Sequence, residues 1–151
     1  MKKNMLILFI LVSASFGSMA APGDYFIKVE SNHNLDKTFE MLQDVIESKG
    51  LKIFTTIDHS EGAEMAGMEL PGTKVIIFGN PKMGTPLMKA DRSIGAVLPL
   101  KYLVWEEDDK VWVGYVDPAF FLDYYDLKGE EGRIAKMQTA LKGMAEAATN
   151  K

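Results

Sequence analysis

The chain has 151 residues, with 17 Lys and Arg against 21 Asp and Glu, a formal charge of −4, and no cysteine. The acidic balance, with no basic cluster to offset it, argues against nucleic acid and anionic membrane surfaces as partners. Lack of cysteine excludes disulfides, thiolate catalysis, cysteine-held zinc or iron–sulfur clusters and lipid attachment through a thiol.

Lys2 and Lys3 precede an apolar run over residues 5–12, and small residues then lead to Ser18, Met19 and Ala20. That order reads as a secretory signal cut after Ala20, because the run is far shorter than the roughly 20 residues of a membrane-crossing helix. The expectation is a periplasmic or secreted protein with no membrane association after cleavage. Without residues 1–20 the balance is 15 basic to 21 acidic side chains, a charge of −6. Residues 21–151 suit one domain that relies on its core.

Residues 25–29 read as a short strand, after which Leu35, Phe39, Leu42, Val45 and Ile46 recur on one helical face. Asn34 is placed to cap that helix, expected over 35–49, and Gly50 to end it. Residues 51–59 alternate as a strand, with Leu51, Ile53, Thr55, Ile57 and His59 on one side and Asp58 on the other. Ser60 is expected to cap a short helix reaching Ala66, stopped by Gly67 and the Pro71–Gly72 pair. The apolar run 75–78 marks a central strand within 74–79.

Asn80–Pro81 and Gly84–Thr85–Pro86 are expected to break the chain, with a short helix from Pro86 to Asp91. Residues 92–99 carry no clear pattern. Residues 100–106 and 110–117 form a hairpin around Glu107, Asp108 and Asp109. A helix over 119–125 follows, then an amphipathic one marked by Ile134, Met137, Leu141, Met144, Ala145 and Ala148. This pattern predicts an α+β two-layer sandwich, a mixed and mainly antiparallel sheet of about five strands with helices on one face.

The segment 79–88, GNPKMGTPLM, follows the most apolar strand and gathers the residues best suited to a site. Gly79 and Gly84 permit close approach of a ligand, Asn80 and Thr85 offer neutral hydrogen bonds, and Lys82 offers a cation. The set suits a small polar or anionic ligand, or else forms a structural turn. It is not a phosphate loop, since G-x-x-x-x-G-K-[ST] is absent. His59, beside Asp58 and Ser60, is positioned either as an acid or base or as part of a capping turn. Asp117 before Pro118 points into a cleft or caps the next helix.

Met65, Met68, Met83 and Met88 flank these loops and are soft enough for copper(I), although methionine is more commonly a flexible core filler. Trp105 and Trp112 lie on facing hairpin arms, as packing residues or as part of a pocket wall. No cofactor is expected.

The strings IDHSEGAEMAGMEL (57–70), IIFGNPKMGTPLM (76–88), LPLKYLVWE (98–106) and VGYVDPAFF (113–121) together resemble the bacterial and archaeal domain of unknown function 302 family. The resemblance extends over residues 25–147 and implies a helix layer on a curved sheet and a tendency to form homodimers. It implies a shared pocket near Asp58, His59, Gly79, Asn80, Pro81, Lys82, Gly84, Thr85, Pro86, Trp105 and Asp117, without supplying an activity.

A non-catalytic binding or sensing module at the GNPK loop is the leading reading. Its competitors are an enzyme using His59 with Asp58 or Asp117, a copper(I) handler using methionines and His59, and a dimeric interaction domain. The last would present Phe120, Phe121, Tyr124 and Tyr125.

Overall fold

A computed structural model describes residues 25–150, so the expected leader lies outside the described residues. In chain order they form β1 (Phe26–Ser31), α1 (Leu35–Ser48), β2 (Lys52–Asp58), α2 (His59–Met65), β3 (Thr73–Gly79) and α3 (Pro81–Ala90). A 3-10 turn (Arg92–Ala96) leads to β4 (Leu100–Glu107), β5 (Lys110–Val116), α4 (Ala119–Tyr124) and α5 (Glu131–Thr149). The strands make one sheet in the order β1-β5-β4-β3-β2. Every pairing is antiparallel, so the expected α+β architecture holds, with no parallel pair in the sheet.

Local chemistry sets the ends of α1. The Asn34 side chain accepts from the Lys37 N–H at 2.9 Å. At the other end Gly50 takes φ +69°, and the Gly50 and Leu51 N–H groups donate to the Glu47 and Ile46 carbonyls. This closure satisfies orphan carbonyls through a left-handed residue, which glycine adopts without strain.

Leu42 and Ile46 of α1, with Leu141, Met144, Ala145 and Ala148 of α5, bury the inner face of the sheet. The inner face presents Ile76 and Phe78 of β3, Tyr102 and Val104 of β4, and Val113 and Tyr115 of β5. A second core cluster lies beyond one end of the sheet, where Leu87, Ile94, Phe121, Leu127, Ile134 and Met137 meet. That end is fixed by the pairing of Phe78 with Leu100.

Three local expectations change. The helix expected from Pro86 begins instead at Pro81, because Asn80 caps it and proline is well suited to a first helical turn. Pro86 sits inside it and lacks the N–H that would bond the Lys82 carbonyl, which receives the Arg133 guanidinium at 3.4 Å instead. The cap of α2 is Asp58 and not Ser60.

In β2 the alternation reverses. Ile53 pairs with inner-face Phe78, but a bulge inserts Phe54, so that Thr55 and Ile57 pair with Ile77 and Val75 on the outer face. Phe54 is left 45% exposed and Ile57 42% exposed.

The hairpin turns through Asp108 and Asp109, both at positive φ (53° and 59°) between the paired Glu107 and Lys110. This is the left-handed two-residue turn that follows the twist of the strands.

Candidate functional site

Gly79 ends β3 with its α-carbon facing Phe54 and Pro99; a Cβ there would stand 3.4 Å from the Phe54 ring. The next residue, Asn80, accepts from the Lys82 N–H at 2.9 Å and so starts α3. The helix then runs over a hollow of about 180 Å³ at the end of the sheet. Gly79, Asn80, Pro81, Met83, Gly84, Thr85 and Met88 form one wall, and Phe54, Leu98, Pro99, Leu100 and Met137 form the other. The lining is almost wholly aliphatic, aromatic and thioether, with the Thr85 hydroxyl and the Asn80 amide as its polar groups.

The second wall comes from three separate places in the chain. Phe54 reaches it because the bulge turns that residue out of the strand alternation. Leu98 and Pro99, joined by a cis peptide, belong to the segment without a readable pattern. Met137 projects from α5, where its periodicity marked it only as a core position.

The residues expected to form a site are divided between the two ends of the sheet. Gly79, Asn80 and Thr85 line the hollow together, whereas Lys82 is exposed and is not part of its wall. Asp58 pairs with Lys74 in the register that pairs Lys52 with Gly79, which places Asp58 and His59 about 17 Å along the strands from Gly79. His59 opens α2, a helix with no buried residue. Asp117 lies at the Gly79 end but accepts from the Ala119 N–H at 2.8 Å and from the Gln138 amide at 2.7 Å, tying α4 to α5. His59 and Asp117 therefore stand at opposite ends of the sheet, which leaves Asp58 as the carboxylate beside His59.

Asp58 serves as a charged cap. It accepts from the Ser60 hydroxyl at 2.5 Å and the Glu61 N–H at 3.0 Å, and lies 3.6 Å from the Lys74 ammonium. Ser60 first, then the Glu61 N–H and Lys74, hold its carboxyl below the ordinary value of 3.8. Lys74 is pushed above the usual lysine value, chiefly by its 2.9 Å bond to Asp36.

Because the folded pKa of Asp58 lies below the unfolded one, its contribution to stability is present above about pH 4 and is lost as the pH falls through the folded value. Asparagine also caps helices well but carries no charge. The stability gap between wild type and Asp58→Asn, measured by urea unfolding, should therefore be largest near pH 6 and close towards pH 3. A gap that stays constant over that range would contradict the assignment.

Among the described residues no three of His, Asp and Glu converge to hold a metal ion. The methionines separate: Met83, Met88 and Met137 line the hollow, while Met65 and Met68 are 85% and 63% exposed on and after α2. His59 lies at the end of the sheet away from the hollow thioethers.

Fold and site define a small antiparallel α+β domain with an apolar hollow at one sheet end. Residues 27–148 match the family described as domain of unknown function DUF302, and the chain belongs to that family. A crystal structure of a DUF302 protein from Bacillus stearothermophilus superposes with a TM-score of 0.76 at 15% identity, covering 82% of this chain and 98% of that one, a likeness of fold.

The chain is also 43% identical over 102 residues to fluoride-specific ion channel FluC 1 of Brucella suis and FluC 2 of Brucella melitensis. The match takes in 67% of this chain but only 40% and 38% of those proteins. No helix of the described residues is long and apolar enough to cross a membrane.

Proposed function

We propose that the protein is an exported, non-catalytic module that binds a small ligand in the hollow beside Asn80. The observation that carries this reading is the hollow itself, about 180 Å³ and open on one side, lined by Phe54, Met83, Met88, Leu98, Pro99 and Met137. Thioether and aliphatic walls favour an apolar ligand over the anion suggested by Lys82, whose ammonium stands outside. The size suits a small apolar aromatic compound of one or two rings, as apolar cavities of about 150 Å³ take up benzene. Methionine walls adapt to ligand shape at little cost. The channel named for the Brucella relatives concerns proteins that this chain spans by about 40%; we assign the shared part to binding rather than conduction.

Gly84 gives the test. A Cβ on it would lie at ordinary contact distance from Leu98 and Met88, 3.7 and 3.9 Å, so a side chain added there starts into the hollow with its first carbon free of clash. Replacing a helical glycine also removes a penalty of about 1 kcal/mol. Gly84→Leu is expected to fold at least as stably as wild type and to bind indole at least tenfold more weakly, by roughly 1.4 kcal/mol. Methionine methyl NMR reads the site directly: indole should shift Met83, Met88 and Met137. Shifts elsewhere, or tight copper(I) binding at those methyls without an effect of indole, would overturn the reading.

A second reading, homodimer formation, is favoured by the outer sheet face. Phe26, Ile57 and Val116 stand 43%, 42% and 45% exposed on it, beside Trp105 and Trp112. Apolar residues left open to water across one sheet face, from edge strand β1 to edge strand β2, are a surface that association would cover. Light scattering should return twice the chain mass, and Ile57→Lys should return the monomer mass with an unchanged circular dichroism spectrum. A monomeric wild type at tens of micromolar would dismiss it.

A further inference from the structure

Leu100 lines both the hollow and a second, larger cleft of about 530 Å³ at the same end of the sheet. Aromatic rings and aliphatic side chains share its wall. Phe120 packs edge-on against Tyr25 at 5.7 Å and tilts over Tyr124 at 4.3 Å, and Phe26 closes the side facing the outer sheet surface. Tyr124 is 61% exposed and Phe26 43%, so both rings are open to a ligand. At the rim the Tyr25 hydroxyl donates to Asp123, which occupies that carboxylate.

One cation lies in this wall. Lys101 leaves β4 towards the cleft, and its ammonium turns back to donate to the Val97 carbonyl at 3.1 Å and the Pro99 carbonyl at 2.9 Å. An ammonium has three N–H donors, so one is left over. The carbonyls hold the group in place without neutralising it, and no carboxylate among the described residues pairs with it. The contrast is with Lys28, whose charge is met by Glu107 at 2.5 Å and by the faces of Trp105 and Trp112.

We propose that this cleft binds a small organic monocarboxylate with an aromatic body, the carboxylate on Lys101 and the ring among Phe26, Phe120 and Tyr124. The pairing would supply the counter-charge and the third acceptor that the ammonium lacks, in a charge-assisted hydrogen bond. The ring would cover apolar surface now exposed on Phe26 and Tyr124. Partial desolvation already pushes Lys101 below the ordinary lysine value, the direction expected of an ammonium without a counter-ion. Because the chain is acidic, long-range attraction does not favour an anion; recognition must come from contact at Lys101.

The test is an NMR titration of the protein with phenylacetate and indole-3-acetate, against the neutral phenylacetamide and the cationic phenethylamine. Both acids should shift resonances of Lys101, Phe120 and Tyr124 and bind about tenfold or more tightly than the amide. Lys101→Met should keep a folded spectrum and lose that preference. Tyr124→Ala, at an exposed position, should weaken acid and amide alike. Gly84→Leu, which fills the separate hollow, should leave acid binding unchanged, so that this site and the proposed function fail independently. Equal binding of acid and amide, a preference that survives Lys101→Met, or shifts confined to Met83, Met88 and Met137 would overturn the proposal.

Discussion

Replacing Tyr102 with alanine is expected to lower the stability of the protein by about 3–5 kcal/mol, the range seen when a large buried aromatic is truncated. Tyr102 is fully buried in the middle of β4. Its ring stacks on Phe78 with centroids 5.1 Å apart and planes 8° from parallel, and meets the edge of Tyr115 at 5.5 Å. Its hydroxyl donates to the Leu141 carbonyl at 2.6 Å, which anchors α5 to the sheet. Burial, helped by Tyr115, raises its pKa so far that the hydroxyl stays a donor across the whole working range.

Truncation would leave a cavity between Phe78 and Tyr115, the two rings that Tyr102 meets. Typical domains have only about 5–15 kcal/mol in total, so the variant should unfold at a much lower urea concentration with an unchanged slope. Tyr102→Phe isolates the hydroxyl and should cost about 1 kcal/mol. A loss below 1 kcal/mol for the alanine variant would mean that the inner layer is held elsewhere.

The inner layer was legible because each of its elements repeats a simple period. Leu42 and Ile46 lie on a 3.6-residue stripe, and the four apolar residues at 75–78 announced a strand, which lies inside the sheet between β4 and the edge strand β2 rather than at its centre. The hairpin through Asp108 and Asp109 that joins β4 to β5 was legible too, whereas the strand order and the pairing of the two edge strands were not. Less legible was anything that depends on one residue out of period. The bulge at Phe54 reverses the faces of Thr55 and Ile57, and only the pairing partner across the strand reveals it. Proline at 81 and 86 reads as two breaks, yet the first starts a helix and the second is carried inside it with Arg133 serving the freed carbonyl.

The candidate site shares this division. Its near wall, Gly79 to Met88, is a continuous string and was found as one. Its far wall needs Phe54, Pro99 and Met137, brought together only by packing at the end of the sheet. Lys101 carried no signal at all, since a lysine in a strand reads as solvated until two carbonyls are seen to hold it. Asp117 reads as facing a cleft or serving the next helix, and its carboxylate takes the Ala119 N–H at the start of α4. The cap of α2 reads too late in the chain, at Ser60, although the acidic residue before the helix has backbone N–H groups within reach.

Gly114 is the position where the outer face should be most sensitive to a single added carbon. A Cβ there would stand 2.5 Å from the Phe26 ring and 2.8 Å from the Trp105 ring, both inside the closest approach that carbon atoms allow. The two rings differ in their freedom to yield. Phe26 is on the edge strand and 43% exposed, so it can swing outward. Trp105 is stacked on Trp112 at 6.5 Å with Lys28 above both rings, so its displacement disturbs the whole array.

Gly114→Ala should therefore cost about 1–3 kcal/mol, the usual penalty for overpacking, and should alter the near-ultraviolet tryptophan spectrum. Adding Phe26→Ala should restore part of the loss, since it removes one of the two clashes. If Trp105 were the softer partner, that second change would restore nothing, and the tryptophan spectrum alone would report the strain. Phe26 also walls the aromatic cleft, so the outward swing that relieves Gly114→Ala should weaken phenylacetate binding while leaving indole in the methionine-lined hollow undisturbed.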